Sequence, residues 1–309
     1  MSVVVLAYHE MGCTGLRALL RHKVPVSAVF TYADDPGENC WFGSVAALAR
    51  DAGLPVFITE SINDARWVDH IVALKPDVIL SLYYRHLVGR AIRDVPRFGA
   101  FNLHGSLLPR YRGRCPVNWQ LVHGERESGV TLHAMTARAD AGDIVGQQRV
   151  AVGPDDTALE LTRRLTAAAD VLLDRHLDAL LAGRAPRTPQ DESQASVFGG
   201  RRPEDGRIDW SWPRARIHDL VRAVAPPWPG AFGQLPDGSL MVWRTRLAAG
   251  PAGPPLEPGV VRIAAQAVHV GTGDAPLELL EWRAPAGRLL RPGEKLAVQT
   301  SARRPEVRT

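Results

Sequence analysis

The sequence predicts an α/β protein, a doubly wound parallel sheet followed by a smaller β-barrel unit, and three observations carry the prediction. Short apolar runs alternate with amphipathic helical stretches from Val3 to Leu181, the rhythm of βαβ units. Residues 183 to 206 then turn rich in Gly, Arg, Pro, Ser and Gln, the composition of a surface linker. Beyond them come short, turn-separated β runs that suit a small barrel. The implied division is 1–182 for a first domain, 183–206 for the linker and 207–309 for the second domain.

Taken in order, Val3 to Ala7 is a continuous apolar run and predicts a buried strand. Gly12 to His22 carries Leu16, Leu19 and Leu20 on one helical face, and Val26 to Phe30 is the next strand. The same spacing predicts a helix at Ser44 to Ala52, a strand at Pro55 to Phe57, a helix at Ala65 to Leu74, a strand at Val78 to Leu82 and a helix at Leu87 to Arg93. Strands follow at Gly99 to Leu103, Gly129 to Met135 and Ile144 to Val150. A long Leu-rich helix from Thr157 to Leu181, capped by Asp155 or Asp156, closes the first domain. The second opens with a helix at Pro213 to Ala225 and a stiff turn from Pro226 to Phe232, read as a packing corner. Strands at Leu240 to Thr245, Val260 to Ile263, Ala267 to Val270 and Leu277 to Trp282 complete it, and the tail after Val298 reads as frayed.

Composition narrows the function classes. A chain of 309 residues, 45% hydrophobic and 23% charged, is that of an ordinary soluble protein. Thirty-seven basic side chains stand against 33 acidic ones, but the only lysines are Lys23, Lys75 and Lys295, so the arginine load reads as compositional bias. A net charge of +4 gives no argument for nucleic-acid binding. Cys13, Cys40 and Cys115 lack metal-ligand spacing and cannot all pair, which fits free thiols in a cytoplasmic protein. No apolar run approaches the roughly 20 residues of a membrane span, and the first strand follows Met1 with no basic leader. No metal and no membrane insertion are expected.

The most informative stretch is Phe101-Asn102-Leu103-His104-Gly105-Ser106-Leu107-Leu108-Pro109, followed by arginines at 110, 112 and 114. Side chains alternate along a strand, so Asn102 and His104 face one way and Leu103 faces the core. They stand at a strand's C-terminal end, where doubly wound sheets bind ligands. An acyl group moving between two nitrogens passes through a tetrahedral carbon bearing a negative oxygen, which needs donors already in place. Asn102 supplies an amide donor, and the His104 imidazole supplies a donor or a proton shuttle. Asp140, on a loop between two strands where the chain could fold back over the site, can orient and charge the imidazole or accept the proton the attacking amine loses.

These residues, with Ala141-Gly142-Asp143 after Asp140, resemble the formyltransferases that use 10-formyltetrahydrofolate. Within them the chain is similar to the formyltransferase domain of the bifunctional enzymes that make and formylate UDP-4-amino-4-deoxy-L-arabinose. That likeness is carried by Ala7-Tyr8-His9-Glu10-Met11-Gly12, Pro36-Gly37-Glu38, Tyr83-Tyr84-Arg85-His86-Leu87, Arg112-Gly113-Arg114 and Pro227-Trp228-Pro229-Gly230-Ala231-Phe232. It implies a Rossmann-like catalytic domain and an OB-like barrel. It also implies a catalytic trio of Asn102, His104 and Asp140, with His104 as proton donor and the other two as transition-state stabilisers. The 10-formyltetrahydrofolate co-substrate would lie along His86, Leu87 and Val88, touch Arg114, and be covered by Thr136, Ala137, Arg138, Ala139 and Asp140. The acceptor would be a nucleotide-linked amino sugar of lipid A modification and polymyxin resistance. The bifunctional proteins continue into an NAD-dependent decarboxylase, so that activity is expected on a separate partner chain or in a longer form of this one.

Competing readings are each tied to a feature. The other nine histidines need no functional role, and Arg110 reads as a solvated loop residue. Gly-x-Gly-x-x-Gly is missing after the first strand, which argues against a dinucleotide-dependent oxidoreductase. Methionyl-tRNA formylation would use the same trio but needs a basic groove, and residues 201–300 hold 13 basic against 10 acidic side chains. Tyr8-His9-Glu10 sides with the sugar enzymes. A folate-sensing scaffold is disfavoured by the intact trio.

Overall fold

The computed structural model describes residues 1–34, 39–247 and 254–298. Pro36-Gly37-Glu38 and the tail after Val298 lie outside the described residues.

The first unit is built on β1 (Val3–Ala7), α1 (His9–Arg21), β2 (Val26–Thr31), α2 (Val45–Asp51), β3 (Val56–Ile58), α3 (Ala65–Leu74), β4 (Val78–Leu82), α4 (Arg90–Arg93) and β5 (Gly99–His104). Strand β1 alternates as a doubly wound sheet requires. Val3, Val5 and Ala7 join the core under Leu16 and Leu19 of α1, while Val4 and Leu6 join the opposite core with Phe30 and Ile71. Helix α4 is shorter than the pattern predicts. Asn63 donates to the Leu87 carbonyl at 2.9 Å and accepts from the Gly89 amide at 2.7 Å, which keeps 87–89 out of the helix.

A two-residue β6 (Arg112–Gly113) and α5 (Pro116–Val122) follow, neither of which the sequence pattern predicts, then β7 (Glu127–Ala134), β8 (Ile144–Ala151) and α6 (Ala158–Leu181). The sheet order is β3-β2-β1-β4-β5-β7-β8. Strands β1 to β5 are parallel, whereas β7 pairs antiparallel with both β5 and β8. The wholly parallel sheet is therefore corrected to a mixed one, in which a hairpin replaces the last crossover. The cap of α6 is also corrected. Thr157 and Glu160 form a reciprocal capping box, while Asp156 is taken by the Gly153 amide and by Arg164.

The segment 183–206 is mostly exposed but closely tied down. It contains β9 (Val197–Phe198), which pairs in parallel with β6, and Trp119 Nε1 donates to the Gly199 carbonyl at 2.9 Å. The second unit comprises α7 (Arg214–Val224) and strands β10 (Ala231–Leu235), β11 (Gly238–Arg246), β12 (Val261–Ala264), β13 (Ala267–Val270) and β14 (Leu277–Arg283). These strands make an antiparallel sheet in the order β10-β11-β14-β13-β12. Among the described residues no ladder joins β10 to β12, so the barrel is an open sheet here. Residues 293–297 lie between its edges, bonded to Val261 and Gly259 on one side and to Gln234 on the other. The two units meet where Arg222 donates to the Asp156 carbonyl at 3.1 Å and Asn118 to the Ala223 carbonyl at 2.7 Å.

Candidate active site

The chain runs outward from β1 to β3 and then returns to β4, so the topological switch point lies between β1 and β4, beside β5. Asn102 and His104 stand at the C-terminal end of β5, with Leu103 buried between them. The next residues are fixed to β7. Thr131 Oγ1 donates to the Ser106 carbonyl at 2.6 Å and accepts from the Leu108 amide at 3.1 Å. Gln147 donates to the Leu108 carbonyl at 2.8 Å, and the Leu108–Pro109 bond is cis. His104 is 7% exposed, and its Nε2 lies 2.8 Å from the Tyr111 carbonyl. A carbonyl only accepts, so Nε2 carries a proton and Nδ1 is the atom left to face the site.

That Nδ1 lies 3.6 Å from Asp140 Oδ2. The loop carrying Asp140 leaves β7 level with Phe101 and folds back over the sheet, with Asp140 at a left-handed φ of 52°. Its side chain is 12% exposed and makes a dense set of contacts. Oδ2 accepts from the Gly113 amide at 2.8 Å, and Oδ1 lies 3.4 Å from Asn102 Nδ2 and 3.5 Å from His133 Nε2. Burial by itself pushes this carboxyl up. The neighbouring His104 imidazole and the Gly113 amide outweigh burial and hold it well below the usual carboxylate range. The three residues singled out in the sequence thus converge on one another.

His133 was not anticipated, having been grouped with the unremarkable histidines. It pairs across the ladder with Asn102. Its Nδ1 donates to its own strand's Ala134 carbonyl at 2.8 Å, leaving Nε2 to accept from the Asn102 amide at 3.1 Å. Strand register brought it there, and register was not readable from spacing.

A profile described as "Formyl transferase" matches residues 2–177. The chain belongs to the formyl transferase family. The profile "Formyl transferase, C-terminal domain" matches residues 201–298 of this formyl transferase. Solved structures share the fold. An N-formyltransferase from Helicobacter canadensis, in complex with folinic acid and dTDP-3-aminofucose, superposes with a TM-score of 0.74 at 18% identity, over 91% of this chain and 99% of that one. WlaRD, a sugar 3N-formyl transferase solved in the presence of dTDP and 5-N-formyl-THF, gives 0.71 at 17% identity, over 94% and 99%. A sugar N-formyltransferase from Shewanella sp. gives 0.63 at 20%, over 81% and 98%.

The remaining candidate residues of this formyl transferase fall into two groups. His86 and Leu87 are exposed beyond β4, with His86 Nδ1 3.1 Å from Tyr32 Oη, while Val88 packs into the core. Thr136 Oγ1 donates to the Arg138 carbonyl at 2.8 Å, which makes 136–138 a tight turn above Asp140, with Ala137 exposed and Ala139 partly so. The three loop arginines separate. Arg110 pairs with Glu125, Arg112 is buried against Gln190 and Glu192, and Arg114 stays exposed beside Gly200.

At the switch point itself the wall is aromatic. Tyr32 and Tyr84 stack with ring centroids 4.7 Å apart, and Arg85 lies 4.3 Å over the Tyr8 ring. His9 sits 5.3 Å from Tyr83 and 4.6 Å from Trp41, and Trp41 meets Trp228 of the second unit at 5.6 Å. His9 and Tyr83 both take left-handed φ values, 65° and 62°, strained positions of the kind that cluster at functional sites. Among the described residues no cluster has the make-up of a metal site, and no helix is long and apolar enough to cross a membrane.

Proposed function

We propose that this enzyme transfers the formyl group of 10-formyltetrahydrofolate to the 4-amino group of UDP-4-amino-4-deoxy-L-arabinose, a cytoplasmic step in lipid A modification that underlies polymyxin resistance. One observation carries the reading, an ionised Asp140 facing His104 Nδ1 and Asn102 Nδ2 together. Family membership, the folate and amino-sugar ligands of the similar structures, and Tyr8-His9-Glu10 after β1 support it. We divide the chain into the catalytic domain 1–182, the linker 183–206 and the barrel-like domain 207–309.

The sugar amine attacks the formyl carbon, and a new C–N bond forms as the carbonyl oxygen takes up negative charge. Asn102 donates to that oxygen through the hydrogen that otherwise reaches Asp140 at the long distance of 3.4 Å. His104 takes the proton of the attacking nitrogen on Nδ1 and returns it to N10 of the folate as the old C–N bond breaks. A carboxyl held so low is a poor base. Asp140 therefore acts as the fixed negative charge that stabilises the imidazolium while Nδ1 holds the transferred proton. The pterin would lie against backbone groups of His86 to Val88, Arg114 would bind a polar edge, and 136–140 would cover it.

The test is turnover of 10-formyltetrahydrofolate with a panel of UDP- and dTDP-linked 4-amino and 3-amino sugars. The UDP-4-amino pentose is expected to give the highest kcat/KM by about tenfold or more, since a binding site built for particular hydroxyl and amine groups penalises mismatched ones. A dTDP sugar outrunning it would reassign the acceptor. Sub-micromolar, salt-dependent binding of initiator tRNA would overturn the sugar reading.

A further inference from the structure

We propose that Gln190, from the segment joining the two domains, is a positioning residue that holds Asp140 in its working geometry. The inference rests on Asp140 acting in formyl transfer. Asp140 reaches His104, His133 and Gly113 with its backbone turned into the left-handed region, a conformation that is strained for a non-glycine residue and needs outside support. One side chain supplies it directly at the aspartate. Gln190 Nε2 donates to the Asp140 carbonyl at 2.8 Å and to the Gly142 carbonyl at 2.7 Å, clamping both sides of the Asp140–Gly142 turn. Its Oε1 accepts from Arg112 Nε at 3.1 Å and Nη2 at 2.7 Å. The orientation of the carboxamide is forced, because carbonyls only accept and a guanidinium only donates.

The rest of the segment repeats the arrangement. Thr188 and Ile144 exchange two backbone hydrogen bonds, at 2.8 and 3.0 Å. Glu192 receives Arg112 at 2.8 and 3.1 Å and also pairs with Arg138 of the catalytic loop. The chain from 188 to 192 thus crosses the loop at three levels, with Gln190 directly against the aspartate. At Gly142 a side chain would collide with the Ala134 carbonyl, so the loop packs backbone against backbone on β7.

Gln190→Ala and Gln190→Glu separate positioning from structure. Glutamate keeps acceptor oxygens for Arg112 but has no N–H to offer the two carbonyls. Both variants are expected to lower kcat by about tenfold or more, with KM for both substrates within about threefold, the pattern of a group acting on the transition state. Wild-type kcat in Gln190→Glu would overturn the proposal, since the residue would then serve only Arg112. Should the single variants lose stability, the cycle with Asp140→Asn decides. The double variant Asp140→Asn/Gln190→Glu is expected to be no slower than Asp140→Asn alone, and independent, multiplying losses would refute action through Asp140. If the wild-type protein formylates no acceptor at all, the functional reading fails before any variant is compared.

Discussion

The two margins of the site are held by different physics. On the side of β5 and β7, Asn102, His104, His133, Asp140 and Gln190 form a polar network of directional contacts at set distances. On the side of β1 and β4, Tyr8, His9, Tyr32, Phe42, Tyr83 and Tyr84 meet ring against ring. Hydrogen bonds are directional, and a buried partner left unsatisfied costs about 1–3 kcal/mol. Ring contacts are worth about 0.5–1.5 kcal/mol each beyond the area they bury, and they tolerate small shifts. In the proposed mechanism the polar margin sets the reaction geometry, and the aromatic margin supplies a shaped wall.

The comparison orders the effects of substitution. His104→Ala and Asn102→Ala should each lower kcat by roughly two powers of ten or more, as loss of an oxyanion donor does. A loss of tenfold or less would mean the roles are misassigned. Asp140→Asn should reduce turnover similarly while leaving KM nearly unchanged, and it carries a second signature. The folded-state carboxyl is held below its unfolded value, so its stabilisation is present above about pH 4 and disappears as the pH falls through the acid range. The variant should therefore melt below the wild type at pH 7, with the gap narrowing under acid; an unchanged gap would place the carboxylate's partners elsewhere.

Smaller effects should follow outward from the trio. His133→Phe removes the acceptor that fixes the Asn102 amide, and we expect about a tenfold fall in kcat, milder than Asn102→Ala because the donor itself remains. On the aromatic margin, Tyr84→Phe keeps the stack with Tyr32 and should change kcat by no more than about twofold. A drop as deep as that of His133→Phe would make the two margins equivalent and dissolve the distinction drawn here.

Much of this was written in local pattern. The alternation at β1 through β5 and the placing of Asn102 and His104 on one face of a strand end follow from side-chain periodicity, which acts over a few residues. Thr157-Ala158-Leu159-Glu160 was also legible as a capping box, although the acidic pair before it drew the cap assignment away. Other features had no local signature. Helix α5 is a short element opened by a proline, and the antiparallel setting of β7 depends on which edge of the sheet was free.

What the sequence determined by itself was the placing of Asn102 and His104 on one face of a strand end and the scaffold type, because both are fixed by residue identity and by spacing along one strand. Only the tertiary structure decided that His133 stands opposite Asn102, that Asp140 turns back onto His104, and that Gln190 grips the loop from 50 residues away in the chain. Those contacts depend on register and loop closure, which arise when distant segments share one core. A polar residue in an exposed segment shows no periodicity to betray that it is the partner of a distant loop.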